Sequence, residues 1–265
     1  MSAWEVITGR ALNPGAVPVA LTPNTGDTFQ IRSTPDSNPP FLEGVWANAA
    51  SAGIVRVRSP RMHDFVQGIR FTTPAGITRN LLADYIDTQM YSQDIVTFEI
   101  AGGAAETDAA ALLIRYPDLG GSDQRLATWD QIKPMVAEVT TVEVAVPGPV
   151  TAGDWSAGTA LNATFDLLKG NQDYAVLGYT VDTLCTAVAF KGSDTANLRV
   201  GGPGPLEPLE TRDWFIRLGR AVNTPSIPVI NQANRASTLV HIAKNAAAGT
   251  VNVDLVVARL TSKFS

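Results

Sequence analysis

Apolar and polar residues alternate along most of this chain in short runs, and clusters of Gly, Pro, Asn and Ser separate the runs. Val142, Val144 and Val146 are interleaved with Glu143 and Ala145, the signature of a half-buried strand. The same reading predicts three strands between Asp27 and Phe71, two at Ile95–Ile100 and Ala109–Tyr116, and a later set at Thr164–Leu168, Ala175–Val181, Thr186–Phe190, Asn197–Val200, Thr238–Ile242 and Val251–Leu260. Helical spacing is confined to a few places. Thr78-Arg79-Asn80 and Thr211-Arg212-Asp213 each supply a capping hydroxyl and a polar or acidic first turn. Apolar residues follow on one face, at Leu81, Leu82, Tyr85, Ile86 and Met90 and at Trp214, Phe215, Leu218 and Val222, so a helix is expected from each Thr. A third helix is expected from Ser122 through Leu126, Trp129 and Ile132 until Pro134 ends or kinks it.

The two Thr-led stretches lie 133 residues apart, half the length of the 265-residue chain. Four further pairs occur in the same order. Thr28–Ile31 matches Thr164–Leu167 at an offset of 136, and Trp46 with Ile54–Val57 matches Tyr179 with Ala187–Phe190 at 133. Ile69–Phe71 matches Leu198–Val200 at 129, and Ile100-Ala101 with Leu112–Arg115 matches Ile242-Ala243 with Val256–Arg259 at 142 to 144. Five matches in one order at nearly constant offset predict a duplicated unit. The expected layout is an arm at 1–24 broken by Pro14, Gly15, Pro18 and Pro23, a first β unit at 25–120, a helical linker at 121–138 and a second β unit at 139–265. The loop Gly201–Pro208 has no partner of equal length in the first half.

Composition narrows the function. A net charge of -5, with Arg10 the single basic residue among the first 30, argues against general or sequence-specific nucleic-acid binding, which needs clustered Lys and Arg against phosphate. Arg outnumbers Lys 15 to 5, and Arg tolerates packed interfaces better than a strongly hydrated ammonium does. Cys185 stands alone, which excludes an internal disulfide and a Cys-rich zinc site, and its apolar surroundings mark it as core. The first residues lack a basic start and an apolar run, so a soluble product of a reducing compartment is expected.

Catalytic groups are scarce. His63 and His241 have no ligand or carboxylate at metal-binding spacing, whereas a duplicated barrel enzyme would need several His and a carboxylate in each site. Asp154-Trp155-Ser156-Ala157-Gly158 lacks the leading Gly and the following helix of a nucleophile elbow. Gly201-Gly202-Pro203-Gly204 lacks the Lys-Ser/Thr ending of a phosphate loop. The pairs Glu207 with Glu210 and Asp84 with Asp87 read as solvated faces, and Asp94, Glu99, Glu106 and Asp108 do not follow a calcium-loop pattern. Asn162-Ala163-Thr164 is a formal glycosylation sequon with no secretory signal to give it meaning. No catalytic, cofactor-binding or metal-binding residue, and no cofactor, is assigned.

Two β-rich halves of similar length, each with a helix late among its strands, joined by a helical linker and poor in catalytic groups, resemble the double jelly-roll major capsid proteins of tailless icosahedral viruses. The resemblance spans residues 25–260 and rests on architecture. It implies an all-β fold of two tandem jelly-roll sandwiches, each with a flanking helix. It also implies a chain that is not an enzyme and forms a homotrimer tiling a shell as a pseudo-hexagonal unit. Its partners would be lattice neighbours, minor capsid or vertex proteins and, in the membrane-containing members, a membrane beneath; its place would be the virion, after synthesis in the host cytoplasm. The alternative is a tandem sandwich of a spike or tail that binds glycans or a host surface, with Trp155 and Trp46 as exposed aromatics.

Overall fold

A computed structural model describes residues 2–60, 68–81, 88–119, 124–165, 168–205 and 209–264. Among the described residues eighteen strands form, and sixteen of them divide evenly between two lobes. The first lobe holds β1 (Ala3–Leu12), β2 (Val19–Ala20), β3 (Phe41–Ala49), β4 (Gly53–Arg58), β5 (Ile69–Thr73), β6 (Gly76–Leu81), β7 (Thr97–Ala101) and β8 (Thr107–Tyr116). The second holds β9 (Val136–Pro147), β10 (Thr159–Ala160), β11 (Asp173–Val181), β12 (Ala187–Lys191), β13 (Val200–Pro203), β14 (Ile227–Asn231), β15 (Leu239–Ala243) and β16 (Thr250–Leu260). In the first lobe β1-β8-β3-β6 form one sheet and β2-β7-β4-β5 the other; in the second, β9-β16-β11-β14 and β10-β15-β12-β13 repeat that order, strand for strand. Thr22–Pro23 extends the first sheet beyond β1, and Leu126–Ala127 pairs with β14. This crossed order in two facing antiparallel sheets is the jelly roll, and the chain is an all-β pair of them.

The repetition reaches local irregularities. β3 bulges at Glu43, so that Leu42 pairs with Ile114 and Gly44 with Leu113. β11 bulges at Leu177, so that Val176 pairs with Val257 and Gly178 with Val256. The same bulge on the same strand, followed each time by Gly, marks equivalent positions in a duplicated unit.

Several expected elements take other forms. The arm expected at 1–24 begins as β1, which pairs along all ten residues with β8. Pro14 and Pro18 lie beyond its end, Pro23 sits in the two-residue edge strand opposite Gly9, and Gly9 leaves the space that the Phe29 ring fills. The helix expected from Thr78 is absent as far as the description reaches: Gly76–Leu81 is β6, paired with Ala49–Gly44 of β3, and 82–87 lie outside the described residues. Only Pro74 and Ala75 separate β5 from β6, so the chain passes straight from one sheet into the other, and the ladder outweighs the local helical spacing. The first lobe therefore shows no flanking helix among its described residues. The structural counterpart of β6 is β14, and the helix led by Thr211 is an insertion before it. The linker is shorter in helix than expected: α1 (Trp129–Ile132) starts from Thr128, which forms a capping box with Gln131, while Leu126–Ala127 is drawn into the sheet beside β14. Nor does Thr28–Ile31 form a strand, and of the strand expected at Thr164–Leu168 the residues 166 and 167 lie outside the described ones while its start is helical. The former makes one bridge, Gln30 to Ile95, and Asn162–Phe165 is the single turn α2.

The helix α3 (Trp214–Val222) forms as expected and buries Trp214, Phe215 and Leu218. Phe215 packs on Tyr179 and Phe190, closing the second sandwich where β14 does not reach along β11. Thr211 does not cap it; its hydroxyl donates to the Tyr179 carbonyl at 2.6 Å, and Gly178 lets that backbone come close.

Alternation explains how the lobes meet. In β1, Ala3, Ile7 and Ala11 point into the first core with Leu112, Ile114 and Phe98. Trp4 and Val6 point the other way, and with Trp46, Ala111 and Leu113 they belong to the hydrophobic cluster of the second lobe. The sheet β1-β8-β3 is thus covered on both faces, which is why β3 and β8 are almost continuously apolar rather than alternating.

Candidate functional site

The seam between the lobes gathers most of the long-range polar contacts. The free edge of β1 is closed by the second half: the Val6 amide donates to the Arg199 carbonyl at 2.8 Å. Gln124 accepts from the Trp4 amide and donates to the Trp4 carbonyl, both at 2.7 Å. These bonds occupy an edge that would otherwise be open to strand addition. The indole N–H groups of Trp4 and Trp46 donate to the carbonyls of Pro225 and Thr186 at 2.9 and 2.8 Å, so both rings are buried with their one polar atom satisfied.

A charged cluster lies beside them. Asp27 accepts from the Thr8 amide and hydroxyl, from the Trp155 indole at 2.7 Å and from the Arg199 guanidinium. Arg199 also donates to the Thr25 carbonyl at 2.9 Å and stands over the Trp155 ring, 5.0 Å from its centre. Asp154 accepts from the Thr25 amide and hydroxyl and from Arg10 at 2.8 to 2.9 Å. Asn24 donates to the Gly153 carbonyl at 2.7 Å. Burial pushes the Asp27 carboxyl above its ordinary range despite Arg199 and its hydrogen bonds. For Asp154 burial acts in the same direction, yet the Thr25 and Trp155 donors and Arg10 outweigh it and hold that carboxyl low.

A cleft of about 320 Å³ opens on this cluster between Thr25, Asp154, Trp155, Arg199 and His241. His241 shares a 3.0 Å hydrogen bond through Nδ1 with the Ser156 carbonyl, which fixes the proton on Nδ1. Its Nε2 is buried without a partner, and burial lowers its pKa to about 4, so the ring is neutral at pH 7. The Ser156 hydroxyl accepts from the Ile242 amide at 3.1 Å and is not activated by the imidazole, so Asp154–Gly158 is a docking segment rather than a nucleophile elbow. Among the described residues no group of three or more His, Cys, Asp or Glu could hold a metal ion.

The other sequence candidates are dispersed. Glu99 is shared by Arg56 and Arg58, Asp94 meets Ser59, and only Glu106 and Asp108 adjoin one another, where Glu106 accepts from Ser51 and Gly103. Gly201–Pro203 is strand β13. Burial pushes the Cys185 thiol up to about 12, consistent with an unreactive core position. His63, Asp84, Asp87 and Glu207 lie outside the described residues. Trp46 and Trp155, the expected exposed aromatics, are buried at 1% and 5% exposure, so they form no glycan-binding platform. Asp27 and Arg199 were not singled out by sequence, and Asp154 only within the rejected nucleophile-elbow string, because the partners that join them across the seam lie more than a hundred residues away. Among the described residues no helix is long and apolar enough to cross a membrane.

No family model and no curated protein matches the chain. Solved structures similar to it include the PBSX exported protein XepA, 10% identical over 97% of this chain and 86% of that one, with a TM-score of 0.27. A chain of the Sulfolobus Turreted Icosahedral Virus is 11% identical over 98% and 91%, with a TM-score of 0.24. The major capsid protein P2 from Bacteriophage PM2 is 10% identical over 99% of both chains, with a TM-score of 0.24. Viral major capsid proteins are thus among the similar structures, at TM-scores that leave the functional argument to the geometry of this chain.

Proposed function

We propose that this chain is a structural virion protein, a major capsid protein that assembles as a homotrimer and tiles an icosahedral shell. The observation that carries the reading is the seam. Two lobes of one topology are locked through the buried side chains of β1, β3 and β8, and the carboxylates there are engaged by arginines of both lobes and by threonine hydroxyls. The cleft that opens beside them is lined by groups already bonded to one another rather than left free to meet a substrate. Here the serine and the imidazole are committed to backbone partners, and the indoles are buried. That is the construction of a rigid block whose work is mechanical. Three copies of a two-lobed block present six similar lobes, which suits a near-hexagonal tile.

Light scattering on the purified chain tests the reading. A species of three times the 28.1 kDa chain mass is expected, with larger closed assemblies at high concentration. A monomer at every concentration would overturn it.

A further inference from the structure

Within the chain, the outer face of β1-β8-β3 from the first lobe docks on the outer face of β12-β13 from the second. The two faces differ, so the contact is head-to-tail and leaves one face of each kind unused: the outer face of β9-β16-β11 and the outer face of β4-β5-β7. We infer that these two remaining faces bind each other between copies of this chain, so that the second lobe of one copy seats on the first lobe of the next. The inference rests on the shell reading above and names its intersubunit surface.

Size and charge support the match. In the internal contact Trp4, Trp46 and Leu113 meet a sheet that alternation lines with Ala187, Ala189 and Gly201, large groups against small. On the unused faces the sizes are exchanged. The second lobe shows Val139, Thr141, Glu143, Ala145, Thr180 and Asp254, mostly short side chains. The first lobe shows Ile54, Arg56, Arg58, Arg70, Thr72 and Glu99, mostly long ones. The charges are opposite. Glu143 and Asp254 sit directly across from each other in the β9–β16 register, and Arg56 and Arg70 do so in the β4–β5 register. Each sheet thus places two charges of one sign side by side, and bringing the two faces together sets unlike charges against each other. Glu99 holds Arg56 and Arg58 in place and offsets one of the three arginines, so the face remains basic.

The test uses the full chain. Glu143→Arg with Asp254→Arg makes the acidic face basic, and Arg70→Glu with Thr72→Glu does the converse while leaving the Arg56–Glu99–Arg58 network intact. Each pair of changes is expected to weaken trimer formation at least ~100-fold by light scattering. The chain carrying all four is expected to recover the trimer, because opposite charges again face each other. A wild-type trimer that persists in both charge-reversed chains would overturn this surface and leave the shell reading standing; a wild-type monomer would remove both. A second measurement needs no variant: raising salt from about 0.05 M to about 1 M shortens the screening length from well above 10 Å to about 3 Å. The trimer dissociation constant is expected to rise at least ~10-fold, and a salt-independent constant would likewise overturn the charge match.

Discussion

The Trp155 indole N–H donates to Asp27 Oδ2 at 2.7 Å, and this one bond ties the loop after β9 in the second lobe to the loop after Thr22–Pro23 in the first. Its acceptor also neutralises Arg199, so Asp27 holds three partners from both lobes at once. Asp27→Ala would leave the Arg199 guanidinium buried without its counter-charge. Such a loss costs about 3–5 kcal/mol. Asp27→Asn keeps the acceptors for Thr8 and Trp155 but removes the charge, and is expected to cost less. Chemical denaturation that ranks Asn below Ala in damage supports the clamp; equal and small losses would refute it.

Trp46 gives a second measure of the seam. Its ring is buried against the second lobe and its indole donates to Thr186. Trp46→Phe retains most of the ring but strands the Thr186 carbonyl, at about 1–3 kcal/mol. Trp46→Ala adds a cavity and should cost about 3–5 kcal/mol. Because lobe docking and the second core share one buried cluster, a single cooperative melting transition is expected for the wild type and two for Trp46→Ala, readable by calorimetry.

Two buried titrating groups oppose each other with pH. Burial pushes Asp108 up to about 6, against 3.8 when unfolded, so the native state holds its proton more tightly and stability falls as pH rises from about 4 to about 6. His241 has the opposite sign. Its pKa near 4, against 6.5 unfolded, means that stability is full above 6.5 and is lost as pH falls towards 4. The wild type should therefore show a flattened profile between pH 4 and 6.5. Asp108→Asn removes the first effect, is expected to gain about 1–2 kcal/mol at pH 7, and should become acid-labile. His241→Asn should lose stability at pH 7 but no longer weaken as pH falls. Melting temperatures across that range decide the matter, and profiles of unchanged slope would refute it.

Much of this architecture was legible in the chain, and the reasons are local. Alternation in Val142–Val146 and the matched strings at Ile54–Val57 and Ala187–Phe190 report faces of strands, which a one-dimensional pattern records directly. The Thr78–Thr211 echo misled, because helical spacing at Leu81 and Leu82 says nothing of the ladder that Ala47 and Asn48 offer from across the sheet. Trp46 was matched with Tyr179, whereas the shared bulge aligns it with Thr180, the outward residue; a one-residue shift exchanges the core face for the contact face. The seam was mostly hidden for a related reason. A strand buried on both faces looks like a strand in a large core; in β1 only Trp4 and Val6, large apolar residues that suit an anchor on a neighbouring element, point to the second contact.

Separating the lobes should expose that difference. The first lobe alone, cut after Leu119, would present Trp4, Val6, Trp46, Ala111 and Leu113 to water together with the free edge of β1. An apolar face bordered by an unpaired strand is an aggregation template. The second lobe alone, from Leu126 onward, would uncover the small side chains of β12 and β13 and keep its core closed by α3. The first fragment is therefore expected to precipitate or to bind a hydrophobic dye strongly, and the second to remain soluble and folded by circular dichroism. Co-expression of the two should restore a soluble first lobe as a stoichiometric complex, since the Val6–Arg199 and Asp27–Trp155 bonds need no covalent link between the halves. A first lobe that is soluble and monomeric by itself would show that the sheet face is not held by the second lobe, and the docking described here would fail with it.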